Sequence, residues 1–338
     1  MRKKGLYILA VAALLACSCG REDIPAADSS SPIAFSMLSA DSKPFTKADT
    51  TYFSTGTSFT VAARKSAGST WNSSSAVNVF KSTSGLQNVQ TTDGAGACAY
   101  SPAAYWSGNS VFRFRAVYPI APDQVNYTDD LDGNAVISNF TVNASASSQK
   151  DLMLSDMVER TLTSIGDPDP VDIVFRHMLS KVTVEINEDI STSAPNHELD
   201  VFTVTGVKLN GLPDRGTYTG TSTSGTWNTS GALGLTCINN TNYNIDNDGA
   251  YTTVFNGLLL IPMTITNQVN MVLDYKVSHN GGEATTKSAV ISIPAITWEP
   301  GKIYTYQLSM SEEYYIRFGN ITVDTWGSTQ ASGSVIIK

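Results

Sequence analysis

From residue 33 onward, the chain consists largely of short stretches in which apolar and polar residues alternate with a period of two. The clearest are 269–277, 304–310, 112–118 and 182–186. Because successive side chains of a β-strand point to opposite faces, such stretches predict strands with one buried face. Turn-forming clusters separate them, and 280–282 (Asn-Gly-Gly) favours a hairpin between 269–277 and 285–293. The pattern predicts an all-β protein of antiparallel β-sandwiches.

Residues 164–170 (Ser-Ile-Gly-Asp-Pro-Asp-Pro) are the strongest candidate for a domain boundary. Two prolines and a glycine interrupt any regular element there. The prediction is therefore two domains in tandem, an N-terminal β-sandwich at 33–168 and a C-terminal β-sandwich at 169–338. Helix is expected only as one short segment, at about 149–160.

The first residues have the organisation of an export signal. Basic residues at 2–4 precede an apolar stretch, 6–16, which is too short to span a bilayer. Leu14 and Ala16 stand three and one positions before Cys17, which resembles a bacterial lipobox. This predicts a signal peptide at 1–16, lipidation of Cys17 (with Cys19 as the alternative) and a lipidated polar tether at 17–32.

Composition and motifs exclude several classes of function. The formal net charge of −8 argues against nucleic acid as a partner. The three histidines have no second His or Cys at metal-ligand spacing, and no nucleophile or phosphate-binding motif is present. We therefore predict no catalytic residue, metal or cofactor. Acidic turns at 129–132 and 246–248 suit solvated turns better than Ca²⁺ sites. Cys98 and Cys237 are expected as separate thiols, with a disulfide as the alternative.

Several segments, in this order, resemble the fimbrillin family of Bacteroidales, the type V pilins and their Mfa-like and FimA-like relatives. These segments are Ile33-Ala34-Phe35-Ser36, Thr46-Lys47-Ala48, the F-R-H-M-L-S-K-V stretch at 175–182, the W-E-P-G-K-I-Y-T-Y stretch at 298–306, and the strand at 321–326. No single motif is specific to the family, but the order in which they occur is. Together the segments span nearly the whole chain. The resemblance implies two transthyretin-like sandwiches.

The resemblance also implies how such a chain assembles. In the family, a trypsin-like protease removes the first strand, and a strand from the next subunit fills the groove. Here the strand removed would carry Ile33, Phe35 and Met37. Cleavage would fall between Lys47 and Ala48, with Lys43 as the alternative site. The donor strand would carry Val335, Ile336 and Ile337, unless these residues simply close the second domain.

The function implied is a structural, non-enzymatic fimbrial subunit for cell adhesion and surface attachment. Its partners would be other fimbrial subunits, the processing protease and, through the lipid, the outer membrane. It would be surface-exposed, as a lipid-anchored precursor and then within the fimbrium. The alternative is a surface glycan-binding lipoprotein of a polysaccharide-uptake system, with Trp71 or Trp227 as an exposed aromatic platform. A hydrolase is the least supported reading.

Overall fold

The structure is a computed structural model that describes residues 31–39, 53–121, 123–166, 168–189, 201–229, 233–246, 248–279, 281–310, 316–326 and 334–336. Up to residue 177 the strands are β1 (Phe35–Ser39), β2 (Ser58–Ala67), β3 (Val77–Asn78), β4 (Leu86–Thr91), β5 (Cys98–Ala99), β6 (Ser110–Tyr118), β7 (Asn126–Thr128), β8 (Ala135–Thr141), β9 (Met153–Ser155), β10 (Val158–Leu162) and β11 (Val171–His177). After residue 177 they are β12 (Ser180–Glu188), β13 (Val201–Leu212), β14 (Arg215–Gly220), β15 (Gly225–Asn228), β16 (Leu235–Asn239), β17 (Tyr243–Ile245), β18 (Thr252–Leu260), β19 (Asn270–Ser278), β20 (Thr285–Ser292), β21 (Lys302–Met310), β22 (Ile316–Thr325) and β23 (Ser334–Ile336).

The predicted all-β class is confirmed. The only helical elements within the described ranges are two single 3₁₀ turns, Ser73–Ser75 and Ala146–Ser148. The helix expected at 149–160 is wrong, because this segment forms β9 and β10. All three residues of β9 are buried, and the strand pairs with β6 and β11. Pairing with strands distant in sequence therefore decides the conformation there.

The N-terminal half is built on a nine-stranded sheet with the order β1-β11-β9-β6-β2-β4-β5, to which β10 and β3 add. One face carries an aromatic core that includes Phe59, Phe114 and Phe175. The opposite face, which includes Ala62, shares a second core with the four-stranded sheet β15-β14-β8-β7. The alternation seen in the sequence thus fills two cores, one on each face of the large sheet.

The C-terminal half is a β-sandwich of two five-stranded sheets. One has the order β18-β12-β21-β22-β23, and the other has the order β16-β13-β19-β20 with β17 also paired to β13. Their inner faces enclose a separate core that includes Val184, Leu273 and Trp298. The expected hairpin is confirmed, since β19 and β20 pair antiparallel from Asn270↔Ser292 to Val277↔Thr285.

Two sets of strand pairings join residues before and after the predicted domain boundary at 168/169. The division into two domains at this point stays a prediction. β11 follows this boundary in sequence but lies between β1 and β9 of the N-terminal sheet. The hairpin β14–β15 comes from the C-terminal half, and β14 pairs with β8 of the N-terminal half. Both the nine-stranded sheet and the four-stranded sheet therefore contain strands from the two sides of this boundary.

Two of the strand pairings are parallel, β1 with β11 and β12 with β21. Parallel neighbours need a long connection, and both pairs are separated by more than a hundred residues of sequence. In the part of the chain that the structure describes, no helix has the length and apolarity required to cross a membrane. The apolar stretch 6–16 lies outside that part.

Candidate functional site: the groove filled by the first strand

The strand β1 and the residue two positions before it bury a row of apolar side chains. Ile33, just before the strand, is 2% exposed, Phe35 is 3% exposed and Met37 is 0% exposed, whereas Ala34 between them is exposed. These three apolar side chains lie two residues apart, so an extended backbone directs all of them to the same side. They are the residues that the resemblance to the fimbrillin family assigned to the strand to be removed, and the structure brings them together in the aromatic core.

Phe35 lies at the centre of this groove. Its ring centroid is 5.4 Å from that of Tyr100, 5.7 Å from that of Phe114 and 6.4 Å from that of Phe80. Tilted and edge-to-face contacts at these distances are favourable beyond the area that they bury. Burying one such apolar side chain contributes about 1.5–3 kcal/mol. The groove is therefore a substantial apolar cavity when β1 is taken away.

The backbone of β1 is hydrogen-bonded on both sides. On one side it pairs in parallel with β11, from Phe35↔Val171 to Ser39↔Phe175. On the other side, the Met37 amide donates to the Gly96 carbonyl and the Ile33 amide donates to the Ala104 carbonyl, both at 2.9 Å. A bridge between Ser36 and Ala97 completes this second contact. Removing β1 would thus leave the edge of β11 and the carbonyls of Gly96 and Ala104 unpaired beside an apolar cavity, and folded proteins usually cover such exposed backbone.

The segment that follows β1, residues 40–52, lies outside the described residues, as do Lys43, Lys47 and Ala48 within it. The chain resumes beside β1, because the Phe53 amide lies 3.5 Å from the Met37 sulfur and points to it. The Phe53 ring stacks on Phe175 with centroids 5.3 Å apart. Cys17 and Cys19, the candidate lipidation sites, also lie outside the described residues.

The last strand, β23, lies at the edge of the C-terminal sandwich. It pairs antiparallel with β22, with Val335 opposite Ile321 and Ile336 opposite Asn320. Within the described residues it has no strand on its other side. Ile337 lies beyond them. A three-residue edge strand is held by few hydrogen bonds. This position is compatible with a strand that closes the C-terminal sandwich and equally with a strand that detaches and pairs with another subunit.

Three of the sequence segments that resemble the fimbrillin family meet at the junction of the two halves. The Gly301 amide donates to the Leu179 carbonyl at 2.9 Å, and the Trp326 amide donates to the Gly301 carbonyl at 3.0 Å. Gly301 has a φ of +68°, a conformation that glycine adopts readily. The His177 ring stacks on Trp326 with centroids 3.7 Å apart. These motif residues therefore join β11, β12, β21 and β22.

The two tryptophans considered as sugar-binding platforms are already engaged. The Arg113 guanidinium covers the Trp71 ring at 4.4 Å, and the Trp71 indole donates to Asp132. The Trp227 indole donates to the Met178 carbonyl at 3.2 Å, and its ring packs against Tyr218. Each tryptophan is thus held by contacts within the protein, and neither is a fully exposed aromatic platform.

The acidic turn at 129–132 is built around a buried ion pair. Asp129 accepts hydrogen bonds from the Arg115 guanidinium at 2.9 Å and from the Tyr127 hydroxyl at 2.8 Å, and both charged side chains are buried. Burial raises the pKa of the Asp129 carboxyl, and the charge of Arg115 offsets only part of this effect. Across the described ranges no group of three or more His, Cys, Asp and Glu side chains could hold a metal ion.

The two cysteines among the described residues, Cys98 and Cys237, are free thiols. Cys98 is half-buried at the start of β5, and Cys237 is buried on β16. Burial raises the pKa of each thiol to about 11, and Asp93 adds to the effect at Cys98. Neither thiol therefore has the thiolate character of a reactive cysteine.

The fold is similar to those of several solved structures from Bacteroides species. A fimbrial protein from Bacteroides vulgatus shares 17% sequence identity with this chain and superimposes with a TM-score of 0.63 over 87% of this chain and 99% of its own. A candidate cell adhesion protein from Bacteroides ovatus shares 14% identity, with a TM-score of 0.52 over 88% and 98% of the two chains. Because the sequence identities are only 17% and 14%, these structures show that the fold is shared and nothing about function. No curated protein matches the chain at a significant level.

The family model described as fimbrillin-like matches residues 38–326. This match includes the motif segments that meet at the junction. Of β1 it includes only the last two residues, 38 and 39. It covers most of the chain, and the resemblance noted in the sequence is thereby confirmed. This chain belongs to the fimbrillin-like family.

Proposed function

We propose that this protein is a structural subunit of a cell-surface fimbrium that assembles by exchanging β-strands between subunits. The observation that carries the proposal is the state of β1, which is paired on both sides and buries three apolar side chains. Such a groove accepts any strand with the same spacing of apolar residues. Membership of the fimbrillin-like family supports the fimbrial role and the cell-surface location.

In this proposal, the precursor is exported and anchored to the outer membrane through lipid on Cys17, with Cys19 as the alternative. A trypsin-like protease then cuts between Lys47 and Ala48, with Lys43 as the alternative site. The cut lies between β1 and Phe53, so it separates β1 and the lipid from the rest of the chain together. The lipid thus holds the subunit at the membrane while its groove is still filled.

The donor strand in this proposal is the C-terminal segment with Val335, Ile336 and Ile337. In an extended chain, Val335 and Ile337 point to the same side, as Ile33, Phe35 and Met37 do in the groove. Donor and acceptor lie at different places on each subunit, so the contact between subunits is heterologous. Repetition of such a contact gives an open filament rather than a closed dimer.

The processing step is tested by sequencing the N-terminus of the protein recovered from sheared fimbriae. We expect the mature chain to begin at Ala48. Lys47→Ala should abolish processing and leave the protein in the lipidated membrane fraction, whereas Lys43→Ala, the matched control, should not. A chain that stays lipidated and uncut in assembled fimbriae would contradict the proposal.

Strand exchange is tested with a chain that starts at Ala48 and a synthetic peptide of residues 333–338. The peptide should bind this chain and raise its thermal unfolding temperature, because it refills the groove. A chain that starts at residue 31, in which β1 fills the groove, should not bind the peptide. A control peptide with Val335→Asp and Ile337→Asp should bind neither chain. Equal binding of the two peptides would contradict a donor role for this segment.

A further inference from the structure

A cleft of about 640 Å³ opens where the four-stranded sheet meets the C-terminal sandwich, away from the groove of β1. Its apolar lining includes Phe140 on β8, Leu179 at the junction and Leu259 on β18. The segments around Gln124 and Gln149 form its walls. The volume lies within the range of about 300–1,000 Å³ that is usual for small-ligand sites.

The polar lining of this cleft is dominated by carboxamides. It contains Gln124, Asn126, Asn139, Asn143 and Gln149. The only charged side chains in the lining are one carboxylate, Asp123, and one ammonium, Lys150, so the formal charges cancel. Each carboxamide offers donors and an acceptor side by side, which matches the adjacent hydroxyls of a sugar ring. The lining favours a neutral, hydroxyl-rich ligand.

The backbone of β8 is distorted where it lines the cleft. Its pairing with β14 shifts register between Ile137↔Tyr218 and Phe140↔Gly216, so two residues of β8 face Thr217 alone. Asn139, one of these two, has a φ of +51° in the left-handed region. A bulge of this kind re-aims a side chain, and bulges are frequent beside binding sites. Glycine would adopt this φ at a lower cost in free energy. What asparagine adds at this position is its carboxamide, which the bulge directs into the cleft.

Two of the other carboxamides are held in place by hydrogen bonds. The Gln149 Nε2 donates to the Asn143 carbonyl at 2.8 Å, and its Oε1 accepts from the Leu259 amide at 2.7 Å. The Lys150 ammonium donates to the Gln124 Oε1 at 3.0 Å, which leaves the Nε2 of Gln124 available to a ligand. Walls ordered in this way lose less conformational entropy when a ligand binds.

We propose that this cleft binds a neutral oligosaccharide. Sugar hydroxyls would pair with the carboxamides of Gln124, Asn126 and Asn139, and the apolar faces of the sugar rings would pack on Phe140 and Leu259. The cleft is distinct from the groove of β1 and from β23, so a subunit could bind sugar and polymerise at the same time. An acidic glycan finds only Lys150 to balance its charge.

The test uses the full chain with an array of neutral oligosaccharides of glucose, mannose, galactose and xylose. Sialyllactose, a heparin fragment and an eight-residue Thr-Val peptide serve as comparison probes. Titration calorimetry on the strongest neutral probe should give saturable binding. Asn139→Gly should weaken that binding about tenfold, the size expected for one lost hydrogen bond that contributes about 1.4 kcal/mol. Gln124→Ala should weaken it similarly.

Asn109→Gly is the matched control, because Asn109 also has a left-handed φ, +47°, but lies outside the cleft. Both glycine variants relieve the same backbone strain, so both should keep or raise the thermal unfolding temperature. Only Asn139→Gly should affect sugar binding. The proposal is overturned if no neutral oligosaccharide binds, if only the acidic probes or the peptide bind, or if Asn139→Gly and Gln124→Ala bind as well as Asn109→Gly.

Discussion

Phe35 is the side chain on which the groove depends most. It fills the space between Tyr100, Phe114 and Phe80 while its backbone pairs with Val171. The surrounding rings belong to three different segments and cannot all move inward to fill a void. Loss of this ring therefore leaves a cavity as well as removing buried apolar area.

Phe35→Ala should reduce the free energy of unfolding by about 3–5 kcal/mol in a chain that retains β1. Val290→Ala is the control, because Val290 is 73% exposed on β20 and should change stability by less than about 0.5 kcal/mol. Urea denaturation followed by circular dichroism measures both. Equal effects of the two variants would show that β1 is not part of the stable core.

Asp156 ties the tip of the β14–β15 hairpin to the N-terminal sheet. It accepts two hydrogen bonds from the Arg176 guanidinium, at 2.8 and 2.9 Å, and one from the Ser222 hydroxyl. Partial burial raises the pKa of this carboxyl, but the hydrogen bonds from Arg176 and Ser222 and the charge of Arg176 outweigh it. The pKa is therefore lowered from 3.8.

A lowered pKa means that the ionised carboxyl stabilises the folded state above pH 3.8, and that this stabilisation is lost as the pH falls through the lower, folded-state pKa. The difference in unfolding free energy between the native chain and Asp156→Asn should therefore be constant at neutral pH and shrink towards acid pH. Urea denaturation between pH 7 and pH 3 measures it. Ser222→Ala, which keeps the ion pair, should show a smaller effect. Parallel curves for the native chain and Asp156→Asn would refute the argument.

At the scale of elements, the β14–β15 hairpin shows how glycines permit a close crossing. Gly220 and Gly225 face each other across the hairpin, and the Tyr218 hydroxyl lies over them and donates to the Thr221 carbonyl at 2.5 Å. A Cβ atom on Gly225 would collide with that hydroxyl and with the Thr219 carbonyl. The Tyr218 ring could then no longer lie in the shared core.

Gly225→Ala should lower the free energy of unfolding by about 1–3 kcal/mol, the usual effect of an overpacked site. Gly94→Ala is the matched control, because a Cβ atom there meets nothing within 4 Å. Thermal unfolding measures both variants. If Gly225→Ala is as stable as Gly94→Ala, the close packing of Tyr218 on the hairpin does not contribute to stability.

At the scale of the whole molecule, the two halves depend on each other unequally. The C-terminal sandwich closes its own core between two sheets. The N-terminal half lacks β14, which covers β8 and supplies Tyr218 to the core that also contains Ile137. The β14–β15 hairpin of the C-terminal half thus completes a sheet and a core of the N-terminal half.

A fragment of residues 180–338 should therefore fold alone, whereas a fragment of residues 31–179 should not fold stably. Fusing residues 213–229 to the second fragment through a flexible linker should restore cooperative unfolding. Circular dichroism and urea denaturation of the three chains measure this. A stable 31–179 fragment would show that the pairing of β14 with β8 is dispensable.

Where apolar and polar residues alternate clearly, the sequence by itself determined that the stretch forms a strand and which face the strand buries. The alternation at 269–277 predicts the buried face of β19, and Asn-Gly-Gly at 280–282 predicts its hairpin with β20. Both are local properties, because a period of two and a tight turn depend on neighbouring residues. The resemblance to the fimbrillin family, which is also read from the sequence, assigned Ile33, Phe35 and Met37 to one strand.

Only the tertiary structure decided which strands are neighbours. Alternation states that a face is buried but not against which partner, so it could not show that β1 lies between β11 and the segment around Gly96. Nor could it show that residues 153–155 form the strand β9 and not the predicted helix. It also could not show that β14 pairs with β8, or that Asn139 lies at a bulge beside a cleft. These contacts join residues far apart in the chain, where their stability depends on packing that no local pattern contains.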